Sequence, residues 1–283
     1  MIDFAAAVIT GAVPLALAAM CGAITERAGV IDLALEAKLL FGAFAAAAVA
    51  LATGSPWLGL LGGMAAGMAV ALAQLGCALW LYADQVIVGV GLNILALGGT
   101  RYLLALLYHE GANSPELQST FPPIAGNPIV WLAVAAAIAV PLALARTRWG
   151  LRLRAAGDRP DALVAVGVAP RRARLAAALV GGALAGAGGA QLSLSVYGFV
   201  ADMSGGRGYI ALAMVILSGW RPGYAALASV GLAIANQLAH KLEMWVDVLI
   251  VRELAHLLPY VLTLLVLAIW GSRRPPPASL GKP

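Results

Sequence analysis

One basic stretch constrains this chain more than any other: Arg146 to Arg174, RTRWGLRLRAAGDRPDALVAVGVAPRRAR. It holds eight of the 18 Lys+Arg and is flanked on both sides by long apolar runs. Lys and Arg near membrane ends resist translocation, so the stretch stays on the cytoplasmic side and orients the runs around it. Within it, Pro160 opens the run DALVAVGV, which closes near Gly167. Proline suits a first helical turn and glycine the residue just past a helix end. The pattern reads as a short helix lying in the cytosol between two spans, or as a basic loop that only sets topology.

The apolar runs decide the class. The chain of 283 residues is 62% hydrophobic and 11% charged, where a soluble domain is roughly a quarter charged. The reading is an all-α integral membrane protein, a polytopic bundle of about nine (8–10) transmembrane or half-membrane helices, counted from the runs below. The net charge of +5 sits at span ends and in one loop, as topology requires, and does not argue for nucleic acid. The 33 glycines and abundant alanines suit helices packed through small residues, not a barrel of short alternating strands. Cys21 and Cys77 lie in apolar runs, without metal spacing or a disulfide framework. The first run lacks a basic leader region, so it reads as a span with its N-terminus outside.

In chain order, Met1 to Gly22 is long enough for one span. The polar interruption TERAGVIDLALEAK follows, then the short apolar run Leu39 to Thr53. Pro56 to Tyr82 is a span whose GLLGGMAAG places small residues at helical spacing. Asp84 to about Tyr108 is the next, with Asn93 in its middle. His109 to Pro128 is a polar outer loop and Ile129 to Ala145 leads into the basic stretch. Leu175 to Val196, Tyr224 to Ala239 and Val246 to Trp270 are further spans. Tyr209 to Trp220 covers roughly two-thirds of a bilayer. Both short runs, 39–53 and 209–220, read as possible half-helices, tolerated only where protein buries them. Residues 1–271 form one transmembrane unit, with its cytoplasmic loop at about 146–174. Residues 272–283 form a proline-rich cytoplasmic tail expected to be disordered.

No catalytic or metal constellation is visible. The three histidines make no HExxH spacing. No P-loop is present, so ATP hydrolysis by the chain itself is excluded, and no GxSxG elbow appears. What stands out is charge in an apolar context. Asp32 and Glu36 are four apart, on one face if helical. A charge at mid-bilayer costs roughly 2.5–3.5 kcal/mol on the lower scales, so such groups face a wet cavity or pair internally. Arg27 and Lys38 are the local candidates for pairing. The whole Glu26–Lys38 cluster could also be a plain interfacial loop. Asn93 reads as an interhelical hydrogen bond or a pathway-lining amide.

Four blocks resemble one family. GAITERAGVIDLALEAKLLFGAF (22–44), DQVIVGVGLNILALGGT (84–100), the stretch from Arg154 to Gln191, and GRGYIALAMVILSGWRP (206–222) resemble, in order and spacing, the signature blocks of nucleoside-type ABC-importer permeases. These share a superfamily with the ribose and branched-chain amino-acid permeases. The resemblance implies a permease subunit, not an enzyme, that forms half of a pore for nucleosides, nucleobases or a similar polar heterocycle. It needs no cofactor of its own. It implies as partners a cytosolic ABC ATPase, a second permease, sister or identical, and a periplasmic or lipid-anchored binding protein, in a bacterial inner membrane. The helix Pro160–Gly167 would then be the coupling helix, with Gly157, Asp158, Pro160, Ala162, Val166 and Gly167 at the ATPase contact. Arg171, Arg172 and Arg174 would meet lipid headgroups. Asp32, Glu36 and Asn93 would line the translocation path. Asp32 stands where the nucleoside branch usually has asparagine, as in the sugar permeases, and Ala37 replaces a glycine. A sugar permease in the same machinery is therefore the alternative. A secondary transporter would need paired broken helices in an inverted repeat, which are not evident.

Overall fold

The structure, a computed structural model, describes residues 2–122, 124–245 and 275–281. The described residues form ten helices: α1 Ile2–Arg27, α2 Leu35–Thr53, α3 Pro56–Trp80, α4 Gln85–Tyr108, α5 Pro128–Arg146, α6 Arg148–Asp158, α7 Pro160–Ala165, α8 Pro170–Ser195, α9 Arg207–Leu217 and α10 Pro222–Trp245. Six of them, α1 to α5 and α8, are long and apolar enough to cross a membrane. The expected all-α polytopic bundle is thus observed. The expected span Val246–Trp270 lies outside the described residues.

The helix boundaries follow local chemistry. Proline occupies the first turn of α3, α5, α7 and α8, where its missing N–H is no loss. Asp84 caps α4 by accepting from the N–H groups of Val86 and Ile87 at 2.8 and 3.1 Å. Asn127 and Thr147 do the same for α5 and α6, each satisfying a helix-start donor. α2 starts at Leu35, one turn before the apolar run proper, so Glu36 and Lys38 lie inside it. With 19 residues it reaches ~28 Å, close to a full crossing. α9 has only 11 residues and is a half-helix by the same measure. It corresponds to the short run Tyr209–Trp220.

α2, α3 and α8 cross at glycines. Gly59, Gly63 and Gly67 recur every fourth residue on α3. A methyl on Gly63 would sit 2.9 Å from the carbonyl oxygen of Gly42 and 3.1 Å from that of Gly186, and a methyl on Gly67 would overlap the backbone of Gly182 and Gly186. Lipid gives no hydrophobic drive between helices, so close backbone approach is what holds them. The small-residue face read in GLLGGMAAG is this contact.

The two ends of the bundle differ. At one end the loop after α4 meets the loop after α8: Ser114 and Leu117 donate to the carbonyls of Phe199 and Tyr197, both at 2.8 Å. At the other end α6 packs beneath the end of α1, and α7 packs against α6 and α8. Residues 275–281 also lie here, and the expectation of a disordered tail does not hold for them. The Ser279 N–H donates to Gly157 O at 2.8 Å and its hydroxyl to the same carbonyl at 2.6 Å. The Gly281 N–H reaches Gly29 O at 3.1 Å. Ser279 and Gly281 thus donate to carbonyls without a helical partner, one at the end of α6 and one in the turn after α1.

Gly67→Leu should abolish the monodisperse peak of the detergent-solubilised protein, because neither facing backbone can retreat. Gly91→Leu, on the same type of span but with open space at its Cα, should leave the peak unchanged by size-exclusion chromatography.

Candidate functional site

The turn between α1 and α2, residues 28–34, is not helical, yet it is buried almost throughout. Buried backbone without helix or sheet must find side-chain partners. Gly29 adopts φ +91° to start the turn. Ile31 is then clamped on both polar groups: its N–H donates to Gln85 Oε1 at 2.7 Å, and its carbonyl accepts from Gln74 Nε2 at 2.9 Å. Asn93, from the middle of α4, accepts from the Ala37 N–H at 2.9 Å and donates to Leu33 O at 2.8 Å and to the Tyr209 hydroxyl at 3.1 Å. Its whole amide is used in interhelical bonding.

The carboxylates are equally engaged. Asp32 is 0% exposed. Its Oδ1 pairs with Lys38 Nζ at 2.5 Å, and its Oδ2 accepts from Thr25 Oγ1 at 2.8 Å and from Cys21 Sγ at 3.4 Å. Glu26 accepts from the Trp220 indole N–H at 2.6 Å and from the Asp32 N–H at 3.5 Å. Glu36 accepts from Ser204 Oγ at 2.6 Å, the Gly206 N–H at 2.8 Å and the Gly208 N–H at 2.6 Å. It thereby caps the N-terminus of the half-helix α9, where backbone donors and the helix dipole favour an anion. A Cβ at Gly208 would collide with the backbone of Glu36.

Asp32 and Glu36 do not share a helix face as their spacing suggested. Asp32 sits in the turn and points to α1, while Glu36 sits in α2 and points to α9. The Lys38 pairing holds for Asp32; Glu36 instead finds the turn before α9, 168 to 172 positions away in sequence. Sequence reasoning missed Gln74, Gln85, Ser204 and Trp220. For the two glutamines the signal was the one used for Asn93, an amide set in or beside an apolar span. Among the described residues no cluster of His, Cys, Asp or Glu could hold a metal ion.

The expected coupling residues divide into two groups. α7, Pro160–Ala165, is the short helix expected at Pro160–Gly167, ending two residues earlier; Gly167, with φ +73°, follows its cap residue Val166. Asp158, Ala162, Val166 and Gly167 are exposed, and Pro160 is half-buried. Between α6 and α7 runs a groove of about 450 Å³ lined by Leu151, Arg152, Ala162 and Val166 among others. Gly157 is not on this surface. It is buried, and a Cβ there would overlap the carbonyl of Arg27, so its role is to seat α6 under the end of α1. Arg174 likewise departs from expectation. It is buried, whereas Arg171 and Arg172 remain exposed.

Comparison with known proteins assigns the chain. Residues 4–267 match the family described as branched-chain amino acid transport system / permease component. The chain belongs to this permease family. It is 30% identical to the guanosine ABC transporter permease protein NupQ of Bacillus subtilis, over 98% of this chain and 94% of that protein. It is 29% identical to the nucleoside ABC transporter permease protein NupC of Lactococcus lactis, over 91% and 88%. It is 36% identical to the putative glucose ABC transporter permease protein TsgC13 of Haloferax volcanii, over 76% and 70%. No solved structure matches. The protein is therefore a multi-pass membrane permease subunit of the ABC type, a transport component and not an enzyme. Three of the four resembling blocks, 22–44, 84–100 and 206–222, are the ones that meet at the buried junction.

Lys38→Met should destabilise the permease by about 3–5 kcal/mol, the usual effect of leaving one buried charge without its partner. Adding Asp32→Asn should restore much of the loss. Thermal unfolding of the purified protein in detergent reads both, and a double variant no more stable than Lys38→Met would contradict the pairing.

Proposed function

We propose that this permease forms half of the pore of an ATP-driven importer for nucleosides, nucleobases or a similar small polar heterocycle. The observation that carries the substrate class is the match along nearly the whole chain to permeases named for guanosine and nucleosides. A sugar is the second reading. It is supported by the 36% identity to a putative glucose permease and by Asp32 in place of the asparagine usual in the nucleoside branch. Uptake of labelled guanosine by cells expressing the complete system, competed by nucleobases and by glucose, separates the two. Uptake of labelled glucose without uptake of guanosine would reject the heterocycle.

The partners follow from the machine. A cytosolic ABC ATPase binds at α6 and α7, a second permease copy or sister completes the pore, and a periplasmic or lipid-anchored binding protein delivers solute. The N-terminus is outside and residues 275–281 are in the cytosol of a bacterial inner membrane. This orientation is supported by the arginines of α6, Arg159 before α7 and the arginines at the start of α8 lying at the end where residues 275–281 dock. A cysteine at Asp158 should resist an impermeant thiol reagent applied from outside.

The exposed apolar face of α7 supports its role as the ATPase contact. Exposed side chains such as Val166, 71% accessible, signify a partner when clustered in a groove. Asp32, Glu36 and Asn93 act on the path by holding its broken elements, the 28–34 turn and α9, in register. Their full internal bonding supports bracing over direct contact with solute. Asp32→Asn with Glu36→Gln tests this: bracing expects poorer assembly with unchanged selectivity in what assembles, and altered selectivity would instead make them lining residues.

Ala162→Trp should insert and assemble normally but abolish stimulation of the ATPase and uptake together. Gly157→Val should instead lower the yield of folded protein, since its Cβ has no room beneath α1. Normal transport by Ala162→Trp would remove α7 from the ATPase contact.

A further inference from the structure

Between α5, α10 and the turn joining α9 to α10 lies a cavity of about 760 Å³. Its two halves differ in chemistry. The upper half is apolar, walled by Ile138 and Pro141 of α5 and by Leu227 and Val230 of α10. The lower half presents the guanidinium-bearing side chains of Arg154 and Arg221 together with Arg27, and no Asp or Glu is among the described residues that line it. Arg221 lies against the ring of Tyr224, 5.5 Å from its centroid. The Nε of Arg154 is buried and, among the described residues, meets no acceptor. A buried guanidinium donor without an acceptor leaves a strong hydrogen-bonding group unmet.

We propose that this cavity is a binding site for an anionic phospholipid of the leaflet facing α6. The phosphate would lie between Arg154 and Arg221, and an acyl chain would run along Ile138, Leu227 and Val230. Depth separates this occupant from the ATPase. Ile138 is eight residues inside the end of α5, ~12 Å along the helix, which a soluble protein docked at α6 does not reach. Charge separates it from a neutral lipid, because basic pockets between spans at the cytoplasmic side select acidic headgroups. The site does not depend on which solute is carried. Its leaflet follows from the orientation proposed above.

The test is lipid retention by the purified full chain, read by native mass spectrometry after exchange into micelles containing phosphatidylglycerol or phosphatidylcholine. Phosphatidylglycerol should be retained and phosphatidylcholine lost. Arg154→Gln and Arg221→Gln should each weaken retention about fivefold. Arg159→Gln, which removes the same single charge from an exposed position outside the cavity, should not. Ile138→Trp, which leaves every arginine in place, should also reduce retention by filling the acyl half, so the test does not depend on the arginine variants folding. Unchanged retention in Arg154→Gln and Ile138→Trp overturns the proposal. So does an equal loss in the Arg159→Gln control, which would mean bulk charge. Thermal protection by inorganic phosphate equal to that by phosphatidylglycerol would make the site one for a small anion and overturns it too.

Discussion

The arrangement depends on satisfying one non-helical stretch of backbone inside an apolar bundle. Residues 28–34 cannot hydrogen-bond to themselves as a helix does, and lipid offers them nothing. Ala28, Gly29 and Val30 donate back to carbonyls at the end of α1; beyond them the partners are side chains fixed elsewhere, Gln74 from the end of α3 and Gln85 and Asn93 from α4. Each is an amide, able to donate and accept at once. An isolated carboxylate or ammonium could serve only one backbone polarity and would itself require neutralising.

The same economy explains the charges. Asp32 and Lys38 are both fully enclosed, and either one alone would be an uncompensated charge in a low-dielectric interior. Glu36 needs no cation because three donors converge on its two oxygens, two of them from the start of α9. A half-helix that ends inside a bundle exposes unpaired N–H groups, and Glu36 supplies the acceptor. The carboxylate therefore locates α9 in depth, and Trp220 bonding to Glu26 locates its other end. α1, α2 and α9 are joined by charge-assisted bonds at both termini of the half-helix, and such bonds are shorter and stronger than neutral ones.

Much of this was legible in the sequence, and the limits have physical causes. Spans, the short helix at 160–165 and the glycine face on α3 are properties of local periodicity and punctuation, so they can be read locally. The importance of Asp32, Glu36 and Asn93 was legible because polar groups in apolar segments are rare; Glu26 was not singled out. Their partners were not. Ser204 and Gly208 lie far along the chain from Glu36, and no local pattern announces a hydrogen bond between such distant segments. Gly157 was misplaced for a related reason: a glycine in a polar loop reads as a turn, whereas here it is small because the Arg27 carbonyl lies against it. The tail misled through composition, since a basic, proline-rich segment suggests disorder unless open carbonyls happen to be within reach.

The buried junction and the α6–α7 surface are not separate devices. Gly157 at the end of α6 touches the Arg27 carbonyl, and Ser279 bonds Gly157 while Gly281 bonds Gly29. Two positions further on, Ile31 is gripped by Gln74 and Gln85, and Asp32 by Lys38. A displacement of α6 thus meets the 28–34 turn through direct backbone contact, with no flexible side chain between them. Packed interiors resist small continuous deformation and shift between discrete arrangements. The turn is the weakest segment on that route, because side chains and not a helical ladder hold it. If the bundle has two arrangements, the change between them is expected to fall at residues 28–34 and at the start of α9, while the glycine crossing of α2, α3 and α8 moves as one body.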